Sequence, residues 1–179
     1  MQLTKYKSMM TSPTGSLWYL AHNYLFDPLL PFTISDERAK SIKAIKGESL
    51  NRGVTGNNRR LTQGELTEYQ NLVETTFRDG RVTIYYWVLN AEGDNPRNKI
   101  TNYCLRSQPI VVTFNGQRQG DFPNTVIKGD LKLPYLDSYL VVQVDCDRLD
   151  AESRRQLFPT TRESIRDTAI GNDLRRLGQ

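Results

Sequence analysis

Apolar and polar positions repeat along this chain with two periods, and the places where the period changes mark the elements. Leu17, Leu20, Ala21, Tyr24 and Leu25 recur at i, i+3, i+4, i+7 and i+8. This stripe predicts an amphipathic helix after the Ser12-Pro13-Thr14-Gly15 breaker, with Thr14 or Ser16 as cap and an end near Asp27-Pro28. Phe32-Thr33-Ile34-Ser35 then reads as a short strand leading into the charged run Asp36 to Lys40. Tyr69 to Phe77 and Arg81 to Leu89 are β-rich runs on either side of Arg78-Asp79-Gly80, and Asp-Gly between such runs predicts a hairpin. Residues 47 to 64, with Gly47, Gly53, Gly56 and Gly64 among Asn51, Asn57 and Asn58, have the composition of a loop. A second loop is expected over 90 to 98, ahead of Ile100 to Leu105.

Ile110 to Phe114 makes a further strand that runs into Asn115-Gly116-Gln117-Arg118-Gln119-Gly120, and Ser138 to Asp145 makes another. Phe122 to Leu136 has room for one short helix. The tail reads as two helical pieces, Ala151 to Leu157 and Glu163 to Leu177, broken at Pro159. This order predicts an α+β fold: a mainly antiparallel or mixed sheet with helices on one face. The coarse division falls between residues 1–108 and 109–179, with one continuous domain the alternative. Residues 1 to 10 alternate loosely as a strand would, but no turn or cap precedes them, and the start is expected to be a cut.

Composition narrows the class without choosing a function. The 179 residues are 37% hydrophobic and 25% charged, with a formal charge of +4. A chain of this size can bury about two thirds of its unfolded surface without disulfides or a structural metal. No apolar stretch approaches the roughly 20 residues of a membrane span. Nor does the start resemble a secretion signal, so the expected compartment is the cytoplasm. Cys104 and Cys146 are expected to be free buried thiols, and His22, the one histidine, a partly buried helix residue. One histidine and two scattered cysteines argue against an imidazole metal site or a histidine-dependent triad.

Four features remain as candidate chemistry. Asp145, Asp147 and Asp150 could hold a hard cation, or form a strand end followed by an N-cap at Asp150. The stretch Gly53 to Arg60, with Arg52, Arg59 and Arg60, could cradle phosphate or be a solvated loop. Arg154, Arg155, Arg162, Arg166, Arg175 and Arg176 make the tail basic, with an isoelectric point near 9.1 for the chain. The fourth is Leu157-Phe158-Pro159-Thr160-Thr161-Arg162-Glu163, where a proline-broken turn and two hydroxyls precede a helix. The helix dipole disfavours a cation there, so Arg162 either points outward or meets an anion beside the helix N-terminus.

That last segment resembles the Leu-Pro-Leu-Asn-(Ile/Val)-Ser-Arg-Glu turn of the ninety-kilodalton heat-shock chaperones. Thr113-Phe114-Asn115-Gly116-Gln117-Arg118 is similar to the Val-Asn-Gly-Arg segment of MutL, and Leu140 to Asp147 resembles the MutL strand that leads to its ATP-contacting lysine. Together, over residues 109 to 167, they resemble the transducer domain of the GHKL ATPases, the superfamily that includes gyrase B, histidine kinases and, as relatives, the MORC-type ATPases. Pro13 to Arg60 looks like the insert of prokaryotic MORC-like members. The resemblance implies a fold like ribosomal protein S-five domain two, with Arg162 sensing the phosphate end of ATP and Gln117, Arg118 and Thr161 nearby. Gln117 stands where the MutL motif has arginine; Arg162, in place of the MutL lysine, follows the chaperones.

The magnesium-binding Asn-x-x-Asp and adenine-binding Asp-x-Gly-x-Gly motifs of these ATPases are not in this sequence. The expectation is a chain that holds no cofactor alone and belongs with an upstream ATP-binding domain carrying ATP and magnesium, in an intact protein that forms a homodimer. Two rivals stand beside it: a nucleic-acid module using Arg52, Arg59, Arg60 and the tail on DNA, and a metal-dependent hydrolase using Asp145, Asp147 and Asp150.

Overall fold

In the computed structural model, the described residues are 25–28, 30, 32–36, 50–54, 56–63, 67–90, 100–101, 103–158, 173–174 and 176. The expected helix before residue 25, His22, the 1–10 strand, the 90s loop past Asn90, Thr161, Arg162 and most of the expected helix from Glu163 lie outside them. Two strands, β1 (Phe32–Asp36) and β2 (Leu50–Val54), pair antiparallel as a small sheet. Helix α1 (Asn57–Gln63) follows. The main sheet then takes β3 (Thr67–Phe77), β4 (Gly80–Leu89), β5 (Ile110–Phe114), β6 (Gln117–Phe122) and β7 (Leu140–Asp145), in the order β3-β4-β7-β5-β6. All neighbours are antiparallel except β5 and β7, which run parallel. A π-helical turn at Val126–Asp130 and a 3-10 turn at Pro134–Leu136 bridge β6 to β7, and α2 (Ala151–Leu157) follows. The chain is therefore α+β with a mixed five-stranded sheet.

The hairpin expected at Asp79-Gly80 forms with Phe77 opposite Gly80, closing a two-residue turn in which Arg78 takes φ 53°. A second hairpin, β5–β6, is tighter than the sequence suggested. Asn115 and Gly116 both have positive φ, 51° and 68°, the backbone of a primed turn whose twist matches the strands it joins. A side chain at Gly116 would collide with the Asp27 carbonyl, which the turn approaches closely.

Period-2 alternation splits the core between the two faces of the sheet. Ile110, Val112, Val142 and Val144 face one cluster with Phe77, Val82, Ile127, Leu157 and Leu174. Val111 and Val141 face the other, with Phe26, Leu61, Trp87, Leu89, Ile100 and Tyr103. Helical cover is divided accordingly, α1 on one face and α2 with the π-helical turn on the other, where one face was expected. This is why β7 is apolar at four of its six positions and buried from Leu140 to Val144. Strands from both sides of residue 108 make the single main sheet.

Residues 47 to 64 correct the expectation of a loop, because they contain β2 and α1. Local composition could not predict α1, which is held by contacts distant in sequence. Leu61 is fully buried in the second cluster, the Asn57 side-chain amide donates to the Tyr103 carbonyl at 2.9 Å, and the Asn58 amide donates to Gln143 Oε1 at 2.6 Å. Leu25, expected in a helix, instead makes a β-bridge with Gln117. Among the described residues no helix is long and apolar enough to cross a membrane.

Candidate functional site

Two of the sequence-predicted residues, Asp145 and Asp147, lie where β7 ends beside the β5–β6 turn. Cys146 continues the parallel ladder by donating its N–H to the Thr113 carbonyl at 2.9 Å. Beyond it the chain bends, and the Asp147 N–H returns to Asp145 Oδ1 at 2.8 Å while Asp147 Oδ1 accepts the Asn115 N–H at 2.5 Å. On the other side of this turn, the Asp27 N–H donates to the Gly116 carbonyl at 2.9 Å. Three aspartates are thereby gathered at one end of the sheet.

Their electrostatics follow from crowding in a partly dry place. Burial, and then the Asp147 charge, raise Asp27 above the usual carboxylate range. Burial also pushes Asp145 up to about 6, assisted by Asp147 and Asp27 and opposed by the bond from the Asp147 N–H. Burial, with the charges of Asp145 and Asp27 adding to it, raises the Tyr85 hydroxyl. Asp150 does not join them. Its Oδ1 accepts the Ser153 N–H at 2.8 Å as the N-cap of α2, and this bond holds its carboxyl below the ordinary range. Among the described residues no group of three Cys, His, Asp or Glu side chains could hold a metal ion. The hydrolase built on Asp145, Asp147 and Asp150 is therefore corrected to the alternative reading, a strand end and a cap.

On the neighbouring side of the same turn the contacts are aromatic and cationic. Phe158, the last described residue before the Pro159–Arg162 segment, stacks on Phe114 with centroids 5.8 Å apart and planes at 24°. The Arg154 guanidinium lies over the Phe114 ring at 5.5 Å. Phe114 is the last residue of β5 before Asn115-Gly116, so the start of the Leu157–Glu163 segment meets the Thr113–Arg118 segment at one ring pair.

The other candidates are more occupied. Arg118 donates to Asp121 Oδ2 at 2.6 Å in a largely buried pair on β6. Burial raises Asp121 while Arg118 lowers it, with burial the larger effect. Gln117 is half-buried and faces Phe114 in the hairpin register. Arg60 lies over the Tyr103 ring at 4.9 Å and donates to Asn57 Oδ1 at 2.9 Å, leaving Arg59 the exposed arginine of the pair. Arg52 sits opposite Ile34 in the small sheet, and its side chain lies outside the described residues. Cys104 and Cys146 are buried and free as expected. Burial pushes the Cys104 thiol up to about 12 and raises Cys146 as well, so neither is a nucleophile at neutral pH.

Sequence reasoning missed Asp27, which it placed at a helix end, and the pairing of Phe114 with Phe158. No local signal marks either, since both are contacts between distant segments. Comparison of the chain with protein-family models, with curated proteins and with solved structures gives no match.

Proposed function

We propose that residues 109 to 167 form the transducer part of a GHKL-type ATPase, acting in the cytoplasm on ATP and magnesium held by a separate upstream domain. In this reading the tail beyond Phe158 delivers Arg162 to the γ-phosphate, and the turn at Asn115-Gly116 with Gln117 forms the neighbouring rim. The observation that carries it is the stacking of Phe158 on Phe114. That contact ties the root of the arginine segment to the Asn-Gly turn, so a pull on Arg162 is transmitted to β5 and the central sheet.

Guanidinium suits the task because it matches phosphate with two parallel bonds and keeps its charge at all working pH values. A charge-assisted contact of this kind is worth roughly 1.5–3 kcal/mol, enough to bias closure and dimerisation of the intact protein. Arg162→Ala in the intact protein should then lower ATP turnover about ten- to a hundred-fold. Arg155→Ala, which removes an exposed arginine bonded to Glu152 at 2.6 Å, should leave turnover unchanged. Steady-state hydrolysis and ATP-induced closure are the measurements. If both survive Arg162→Ala, the reading fails.

A further inference from the structure

We propose that β3 is a self-association edge, through which two copies of this chain pair antiparallel with Leu72 facing Leu72 of the second copy on the two-fold axis. The inference rests on the sheet alone and does not depend on the ATPase reading. Among the described residues β3 pairs only with β4, so its other side is an open edge of the sheet. At 11 residues it is about twice the usual strand length, and it carries neither proline nor lysine, the residues that commonly block such edges. Tyr69, Leu72 and Val73 are about half exposed on it, an unusual density of apolar surface for an outer strand.

The turn fixes which backbone groups are free. Phe77 and Gly80 close a two-residue turn, so they exchange hydrogen bonds, and the alternation along an antiparallel pair assigns Tyr69, Asn71, Val73 and Thr75 to β4 as well. Gln70, Leu72, Glu74 and Thr76 consequently aim their N–H and C=O groups away from the sheet. In agreement, the Leu72 N–H donates to the Asn71 side chain at 2.8 Å rather than to β4. That amide occupies one edge donor and must swing aside on pairing.

A second copy fits this edge better than an arbitrary strand because the sequence complements itself. With Leu72 on the axis, Gln70 faces Glu74 and Tyr69 faces Thr75, so the Glu74 carboxylate meets an uncharged hydrogen-bonding side chain and no like charges are opposed. Glu74 is further neutralised by Arg148 at 2.9 Å. Residues 69 to 75 of each copy would form a shared ladder about 23 Å long at 3.3 Å per residue, ending before the bulge at Glu68. The two main sheets would become one.

Sedimentation of the full chain over a wide concentration range should reveal a reversible dimer. Leu72→Lys, at a half-exposed position that does not disturb the core, should weaken it about tenfold or more by opposing two ammonium groups on the axis. A Leu72→Cys variant should oxidise to a covalent dimer, since hydrogen-bonded antiparallel partners stand about 5.5 Å apart at Cα. Thr76→Cys, four positions from the axis, should remain monomeric under the same oxidation. A chain that stays monomeric at every concentration, a dimer indifferent to Leu72→Lys, or preferential cross-linking at 76 would each overturn the proposal.

Discussion

Asp145 and Asp150 stand five positions apart and respond to pH in opposite directions. Burial is the main reason that Asp145 is pushed up to about 6, with Asp147 and Asp27 adding to it. The folded state therefore binds the Asp145 proton more tightly than the unfolded chain. Its contribution to stability is complete below the ordinary carboxylate range and is lost as pH rises through about 6. For Asp150, held down by the Ser153 N–H, the stabilising contribution is present at neutral pH and lost on acidification. Asp145→Asn retains an oxygen for the Asp147 N–H and removes the buried charge. It should raise stability at pH 7 by on the order of 1 kcal/mol, a figure reduced from the full effect because solvent still reaches the carboxyl. At pH 4 the variant should match the parent. Urea unfolding at the two pH values measures this, and an equal gain at both would mean that shape rather than charge is responsible.

Gln143 joins three elements. It is fully buried on β7, donates from Nε2 to Thr113 Oγ1 on β5 at 2.9 Å, and accepts at Oε1 from the Asn58 amide on α1. Gln143→Leu keeps the bulk but strands a hydroxyl and an amide, which should cost about 1–3 kcal/mol. The loss should appear first as faster amide exchange in α1, whose Asn58 amide loses its acceptor. Adding Asn58→Ala should cost less than the sum of the two single changes, because the second removes a group already left without its partner. Strict additivity in thermal unfolding would show that the clamp is not shared. This clamp also marks the boundary of what could be read from the residues. The β3–β4 hairpin, β5, β7, α2 and its Asp150 cap are announced by alternation, turn chemistry or capping within a few positions. Helix α1 is not, because Asn57, Asn58, Arg59 and Arg60 are poor local evidence for a helix, and their amides find Tyr103 and Gln143 only after folding. Strand β6 was missed for a related reason: Gln117-Arg118-Gln119 is polar, and its buried Arg118–Asp121 pair makes sense only once the edge of the sheet is covered. The acidic site was half visible, Asp145 and Asp147 by their spacing and Asp27 not at all.

At the scale of the whole molecule, β7 joins strands from both sides of residue 108. It pairs antiparallel with β4 on one side and parallel with β5 on the other, and parallel pairing between distant segments is repaid only after a long loop has closed. The faces are linked in the same way. Val111 and Val141 are buried against Phe26, Leu61, Trp87 and Leu89, all from the first part of the chain. A fragment of residues 109–179 would keep the β5–β6 hairpin, the π-helical turn and α2, but it would expose one side of β7 and one whole face of the sheet. It should show no cooperative thermal transition by itself and should regain one when mixed with residues 1–108, with scanning calorimetry as the readout. A cooperative melt of the isolated fragment would establish an autonomous domain. The outcome bears on how the proposed nucleotide signal would travel. If the fragment cannot stand alone, a pull on the segment after Phe158 in the proposed ATPase would be felt through Phe114 and β5 by the five-stranded sheet as far as β3, because β7 ties the strands of both parts together.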